Sequence, residues 1–234
     1  MADTSTPTST PTTTPATTPA IGRLTNLREI GGPGFQAGRR RTIYRANTEP
    51  VDIRDYPTGL TAVLDLRRED EIDRVPHPLV ADAGYRRVPL FDPASRLEAD
   101  ADAVYLHEQY IDWLERHRAT IPAVFAALAA TEGDALVCCS AGKDRTGVVS
   151  ALLARLWGAD LELVGADYAL TRERLAERFA ADLAASADPD WTRIQQACTP
   201  DVMINVVRHV EQHYGGVPDY LRSIGLSDTE IDSL

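Results

Sequence analysis

The chain has 234 residues, 44% of them hydrophobic, and a formal net charge of -11. That length supports one sizeable buried core. So acidic a surface argues against nucleic acid as a partner, because no basic face can displace counterions, and against non-specific attraction to anionic lipid, while leaving room for a local basic mouth that takes one anionic headgroup.

Residues 1–20 are almost entirely Thr, Pro, Ser and Ala, with nothing to bury beyond Ala and Met1, and this predicts a disordered tail. The tail lacks a basic region followed by an apolar run, so it does not read as a secretory signal. No stretch of about 18 apolar residues predicts a membrane span, so integral membrane association is not expected. Residues 21–234 have the composition of one globular domain without internal repeats.

Short strand-like runs follow at 42–45, 62–66, 85–90 and 135–139. Turn material separates them, including Gly31-Gly32-Pro33-Gly34 and Pro57-Thr58-Gly59. The basic run Arg39-Arg40-Arg41 reads as a solvated turn. Over 103–130, Tyr105, Ile111, Leu114, Val124, Phe125 and Leu128 fit helical spacing, interrupted near Pro122. Beyond Arg145 the spacing predicts helices at 146–157, 160–186, 190–197, 200–214, 217–223 and from Asp228. Early strands interleaved with helix, then a helix-rich C-terminal half, predict an α/β fold with a central sheet flanked by helices. The Ala- and Arg-rich stretch 161–185 reads either as core packing or as a helical lid.

The three cysteines are Cys138, Cys139 and Cys198. An odd count with two adjacent makes no disulfide framework and no zinc spacing, so a reduced, cytoplasmic setting is the default, although export without a leader is compatible with it. His209 and His213 are four apart on a predicted helix. Glu211 is misplaced for a zinc-protease motif and no third ligand is evident, so they read as a solvated face and no metal is expected.

The informative segment runs from Leu136 to Val149. An apolar strand leads into Cys139-Ser140-Ala141-Gly142-Lys143-Asp144-Arg145, and Thr146-Gly147 opens an apolar helix. Such a strand–loop–helix points backbone N–H groups and a helix N-terminus at one spot, which binds anions. Five residues separate Cys139 from Arg145, enough to wrap a cradle with sulfur at the floor and guanidinium at the rim. The positive potential that holds a phosphate also favours the thiolate nucleophile, and the planar guanidinium can bond two phosphate oxygens at once. Gly142-Lys143 suggests an ATP-type Walker loop, but the Gly needed five positions earlier is Val137 and the residue after Lys143 is Asp144, so that reading fails. Of 24 basic residues only Lys143 is lysine, mild support for a compact ammonium being wanted there.

At these residues the chain resembles the protein tyrosine phosphatase superfamily, whose loop is Cys-x5-Arg. More narrowly, Gly142-Lys143-Asp144-Arg145-Thr146-Gly147 resembles the bacterial tyrosine and phosphoinositide phosphatases. Shorter matches agree: Asn26 to Gly32, Ile43-Tyr44-Arg45, Asp65-Leu66-Arg67, Asp167-Tyr168 and the ending from Tyr220. The resemblance implies attack by Cys139 on phosphorus, a cysteinyl-phosphate then hydrolysed by water, and no cofactor. Arg145 and the loop amides of Ser140, Ala141, Gly142, Lys143, Asp144 and Thr146 would stabilise the equatorial oxygens.

A general acid is needed for a poor leaving group. The resemblance favours Asp144; Asp92, at the start of a loop after a strand, is the alternative. Lys143 would add positive charge at the rim for substrates with further phosphates, and Thr146 would bond the sulfur or cap the helix. The implied partners are phosphorylated proteins or phosphoinositides. One departure is Cys138, where the family has His, which leaves two other readings: a weakened phospho-ligand binding module, or a redox-sensing cysteine pair.

Overall fold

The run Ala135–Cys139 shows no alternation of polarity, and all its residues are buried, as a strand covered on both faces requires. It is the middle of a five-stranded sheet seen in a computed structural model that describes residues 24–32, 35, 41–82, 84–91 and 105–234. The strands are β1 (Arg28–Glu29), β2 (Ile43–Asn47), β3 (Ala62–Asp65), β4 (Tyr85–Arg87) and β5 (Ala135–Cys139), in the order β1-β2-β5-β3-β4. Only β1 runs antiparallel to its neighbour. Register places Asn47 beside Cys139 and Asp65 beside Cys138, so the C-terminal ends of three parallel strands converge. That edge is where open α/β sheets bind ligands.

The helices among the described residues are α1 (Glu69–Arg74), α2 (Leu106–Arg116), α3 (Ile121–Ala129), α4 (Arg145–Leu156), α5 (Leu161–Ala169), α6 (Thr171–Arg174), α7 (Ala176–Ala185), α8 (Pro189–Gln195), α9 (Pro200–Tyr214), α10 (Val217–Ser223) and α11 (Asp228–Ser233). Local chemistry sets several starts. Asp160 and Asp188 accept the N–H groups of Leu163 and Trp191, Ser227 and Glu230 form a capping box, and Pro opens α8 and α9. None of these helices is long and apolar enough to cross a membrane.

The predicted α/β architecture is present, with differences that have physical reasons. The stretch 160–186 is three helices, broken at Leu170 and Leu175. Neither residue is a breaker by type; Leu175 and neighbouring Thr171 are buried, so packing imposes the interruption. The strand predicted over 85–90 ends at Arg87, yet Val88 and Leu90 still donate to the carbonyls of Asp65 and Leu66. β1 and α1 escape the sequence because one has two residues and the other only one buried residue, Ile72. The Thr/Pro-rich tail lies outside the described residues.

Strand alternation splits the interior. Ala135, Val137 and Cys139 face the larger core with α2, α3, α4 and α9, whereas Leu136 and Cys138 face a smaller cluster with Val51, Tyr56 and Val63. On that second face His77 lies between Tyr56 and Tyr85, ring centroids 5.3 and 5.4 Å away. His77 is 1% exposed, its Nδ1 accepts the Leu79 N–H, and its Nε2 has no partner among the described residues. Burial pushes its pKa down to about 4, with Asp65 opposing and Arg67 assisting.

Between pH 6.5 and about 4 the unfolded chain therefore binds a proton that the folded one refuses. Stability is complete above 6.5 and falls as pH drops through that window, by about 3 kcal/mol. Urea unfolding at a series of pH values is expected to show this loss in the wild type and not in His77→Asn, which keeps an acceptor for Leu79. Parallel curves for the two proteins would contradict it.

Candidate active site

Cys139 ends β5, the loop 140–144 follows, and α4 begins at Arg145. What shapes the loop is the capture of its carbonyls. The Ser140 carbonyl accepts from the Thr48 N–H at 3.1 Å and from Arg178 Nη1 at 3.2 Å. Asn26 Nδ2 donates to the carbonyls of Ala141 and Gly142, each at 3.0 Å, and Arg45 Nη2 donates to that of Gly142 at 2.8 Å. In a trans peptide the C=O and the next N–H point oppositely. Pinning three carbonyls on the supporting side aims the N–H groups of residues 141–143 the other way, and these have no partner among the described residues. The first N–H groups of α4 are unsatisfied by helix geometry and add to the same spot. Gly142 has φ +63°, and a Cβ there would lie 2.4 Å from the Ala46 carbonyl, so no side chain fits.

A buried polar frame backs the loop. Asp167 of α5 accepts from Arg28 Nε at 2.6 Å and from Arg45 Nη1 at 2.7 Å. Arg28 also donates to Asn26 Oδ1 at 2.6 Å, which turns that amide toward the loop. Burial and the Arg45 charge work against the proton on Arg28, and Asp167 opposes them. One carboxylate thus serves two guanidiniums that are 5% and 1% exposed. Asp167→Asn would leave both cations without a counter-charge and is expected to cost about 3 kcal/mol in chemical denaturation. A loss below about 1 kcal/mol, the scale of an exposed pair, would show that the frame does not depend on that charge.

Arg145 is fixed by a residue the sequence did not single out. Glu71 of α1 accepts Nη1 at 2.6 Å and Nη2 at 2.7 Å, while Phe91 stacks 5.3 Å from the guanidinium carbon. Burial opposes the Arg145 proton, but the Glu71 bonds and the nearby Cys139 hold its pKa above the usual value. The available signal was the acidic run Glu69-Asp70-Glu71 just beyond Asp65-Leu66-Arg67. Arg178 of α7, donating to both Ser140 oxygens and to Glu49, was likewise invisible within an ordinary charged helix.

Asp144 and Lys143 form a pair beside the loop. Lys143 Nζ donates to Asp144 Oδ1 at 2.6 Å, to the Gln195 carbonyl at 2.8 Å and to the Tyr110 hydroxyl at 3.2 Å. Its ammonium is therefore inside the structure rather than on an open rim, with the side chain 3% exposed. Burial works against both charges; Lys143 and the Tyr110 hydroxyl nevertheless hold the Asp144 pKa below the usual carboxylate range, and Asp144 holds that of Lys143 up. The Asp144 side chain is 33% exposed. Thr146 Oγ1 is buried without a partner among the described residues, and Asp144, not Thr146, occupies the N-cap position of α4. Asp92 lies outside the described residues.

Cys138 points away from this site. Its thiol faces the second core, 3.7 Å from the Leu64 carbonyl, and burial pushes its pKa well up. Two adjacent sulfurs on opposite faces of β5 cannot join without breaking the strand. His209 and His213 stack at 4.0 Å, with His209 against Glu115 at 3.2 Å, and no cluster of three ligands occurs among the described residues.

A central parallel strand that delivers a cysteine to a cradle of inward amides, with an arginine returning at the first turn of the next helix, defines the class of cysteine-based phosphatase folds. The model of the tyrosine phosphatase family matches residues 19–234, and the chain belongs to that family. It is 30% identical over 194 residues to a tyrosine-protein phosphatase of Nostoc commune, covering 75% of this chain and 65% of that protein. It is 27% identical over 198 residues to the triple specificity protein phosphatase PtpB of Mycobacterium tuberculosis, covering 73% and 68%. The chain thus spans about two thirds of the length of these curated relatives.

Proposed function

We propose that this protein hydrolyses phosphate monoesters through a cysteinyl-phosphate on Cys139. The observation that carries this reading is the loop itself, running from Cys139 to Arg145, with its carbonyls pinned outward and amides 141–143 without partners among the described residues. Sulfur attacks phosphorus, the P–S bond forms as the ester P–O bond breaks, and the leaving oxygen takes a proton from Asp144. Water then attacks phosphorus, Asp144 takes back a proton, and the thiolate departs with inorganic phosphate released. Arg145 and the amides from Ser140 to Thr146 hold the equatorial oxygens throughout.

In the free protein Lys143 and Tyr110 keep Asp144 ionised. A phosphate dianion arriving beside it supplies the opposing charge that loads the carboxyl with a proton. The internal position of Lys143 supports recognition of one phosphate, because its donors are already engaged. Phosphotyrosine is the substrate class the family supports most directly; phosphoserine, phosphothreonine and phosphoinositides belong in the same assay panel.

The test is phosphate release from p-nitrophenyl phosphate, with acid quenching during turnover and mass analysis of the peptide carrying Cys139. Phosphate on that peptide is the expected result. Turnover with no adduct there, or phosphate binding without turnover, would overturn the proposal, the latter in favour of a binding module.

A further inference from the structure

Tyr110 comes from the middle of α2, 34 residues before Asp144, and is completely buried. Its hydroxyl makes three polar contacts: it donates to Asp144 Oδ1, receives the Lys143 ammonium at 3.2 Å, and lies 3.1 Å from the Tyr168 hydroxyl. The Tyr168 hydroxyl also lies 3.4 Å from the Ala197 carbonyl; its single hydrogen, given to Tyr110 over the shorter distance, leaves the Tyr110 hydrogen for Asp144, so the two phenols form a chain leading inward from the loop. Packing fixes the Tyr110 ring, with Trp113 at 4.7 Å and Tyr168 edge-on at 6.4 Å between centroids.

Both donors reach the same oxygen of Asp144. An oxygen that accepts an ammonium and a phenol hydrogen has little lone-pair capacity left, so an incoming proton goes to the other one. Oδ2 accepts from no residue among those described, and the side chain is a third exposed. The pair of donors therefore decides which carboxyl oxygen carries the transferable proton and also stops the carboxyl from rotating. Without the phenol, Asp144 would hang from Lys143 alone.

We infer that Tyr110 is a positioning residue for proton delivery, saturating Asp144 Oδ1 so that the proton given to the leaving group is carried on Oδ2. This rests on the proposed role of Asp144 as general acid. Tyr110 touches neither substrate nor phosphorus. In the transfer the Oδ2–H bond breaks as the leaving oxygen–hydrogen bond forms, and Tyr110 keeps its own proton. Tyr168 orients the Tyr110 hydroxyl and has a smaller part in the same function.

The test compares a substrate that needs an acid, phenyl phosphate, with one that does not, a difluorinated coumarin phosphate. Tyr110→Phe keeps the ring and its packing. It is expected to lower kcat/KM, which reports the step that expels the leaving group, by about 30-fold on phenyl phosphate, within the range of acid catalysis, and by less than about 3-fold on the coumarin ester. Asp144→Asn is the reference and should show the same selectivity with a larger amplitude. If Asp144→Asn is selective and Tyr110→Phe is not, or if Tyr110→Phe lowers both substrates equally, the positioning role is overturned while the acid stands. If Asp144→Asn shows no selectivity, the acid assignment falls and this inference with it. Should Tyr110→Phe fail to fold, Tyr168→Phe decides: selective loss supports the phenol chain, and uniform loss or none overturns it.

Discussion

Cys139→Ser is expected to lower phosphate release by on the order of 10^4-fold or more, while the protein still folds and still binds phosphate. Cys139 is 1% exposed at the end of a strand buried on both faces, so exchanging sulfur for the smaller oxygen disturbs little packing. The carbonyl clamps from Asn26, Arg45 and Arg178 do not involve the sulfur and keep the amides aimed inward. What disappears is the nucleophile. A serine hydroxyl is a far weaker nucleophile at neutral pH than a cysteine sulfur. Isothermal titration with phosphate or vanadate, beside the turnover assay, separates the two properties. A variant keeping more than about a hundredth of wild-type turnover would remove Cys139 from the chemistry.

Arg145→Lys is expected to lower kcat/KM by about 10^3-fold, or about 4 kcal/mol of transition-state stabilisation. The reason is donor arithmetic. A guanidinium has five N–H groups in a fixed fork, and Glu71 takes one from each terminal nitrogen, at 2.6 and 2.7 Å. The remaining donors can still meet two phosphate oxygens side by side. An ammonium is a point charge on a flexible stem; it can satisfy Glu71 or the phosphate in a given geometry, not both. Glu71→Gln keeps one acceptor for the fork and should cost much less, about 10-fold, mainly through looser positioning. If Arg145→Lys retained a tenth of wild-type kcat/KM, charge alone would suffice and the bidentate clamp would be unnecessary.

The placement of these two residues at the ends of one short loop was legible from the sequence because their relationship is local. A strand that must be apolar, a loop that must be small and a helix that must start within six residues leave few conformations open. Gly142 shows the same locality, since its left-handed backbone is a demand of the loop itself. The supporting residues were visible only as fragments. Asn26 to Gly32, Ile43 to Arg45 and Asp167-Tyr168 resemble family segments, yet nothing in their spacing says that Asn26, Arg28, Arg45 and Asp167 form one buried frame under the loop. Glu71 and Tyr110 left still less trace, being an acidic helix residue and an aromatic in a helical stripe.

Lys143 illustrates the limit most directly. As the chain's lone lysine beside a phosphate loop it suggested a charge at the mouth. Its ammonium instead turns inward, because α2 and α8 present the Tyr110 hydroxyl and the Gln195 carbonyl within reach, and three fixed partners outweigh hydration at the rim.

By itself the sequence determined the α/β class, the central strand and the short loop that runs from Cys139 at the strand's end to Arg145 at the helix's start, since backbone sterics and hydrophobic pattern act over a few residues. Tertiary structure alone decided which carboxylate grips Arg145, which side chains pull the loop carbonyls outward and how Asp144 is held. Those pairings join positions up to 116 residues apart, and their energy depends on distance and desolvation that no linear pattern encodes.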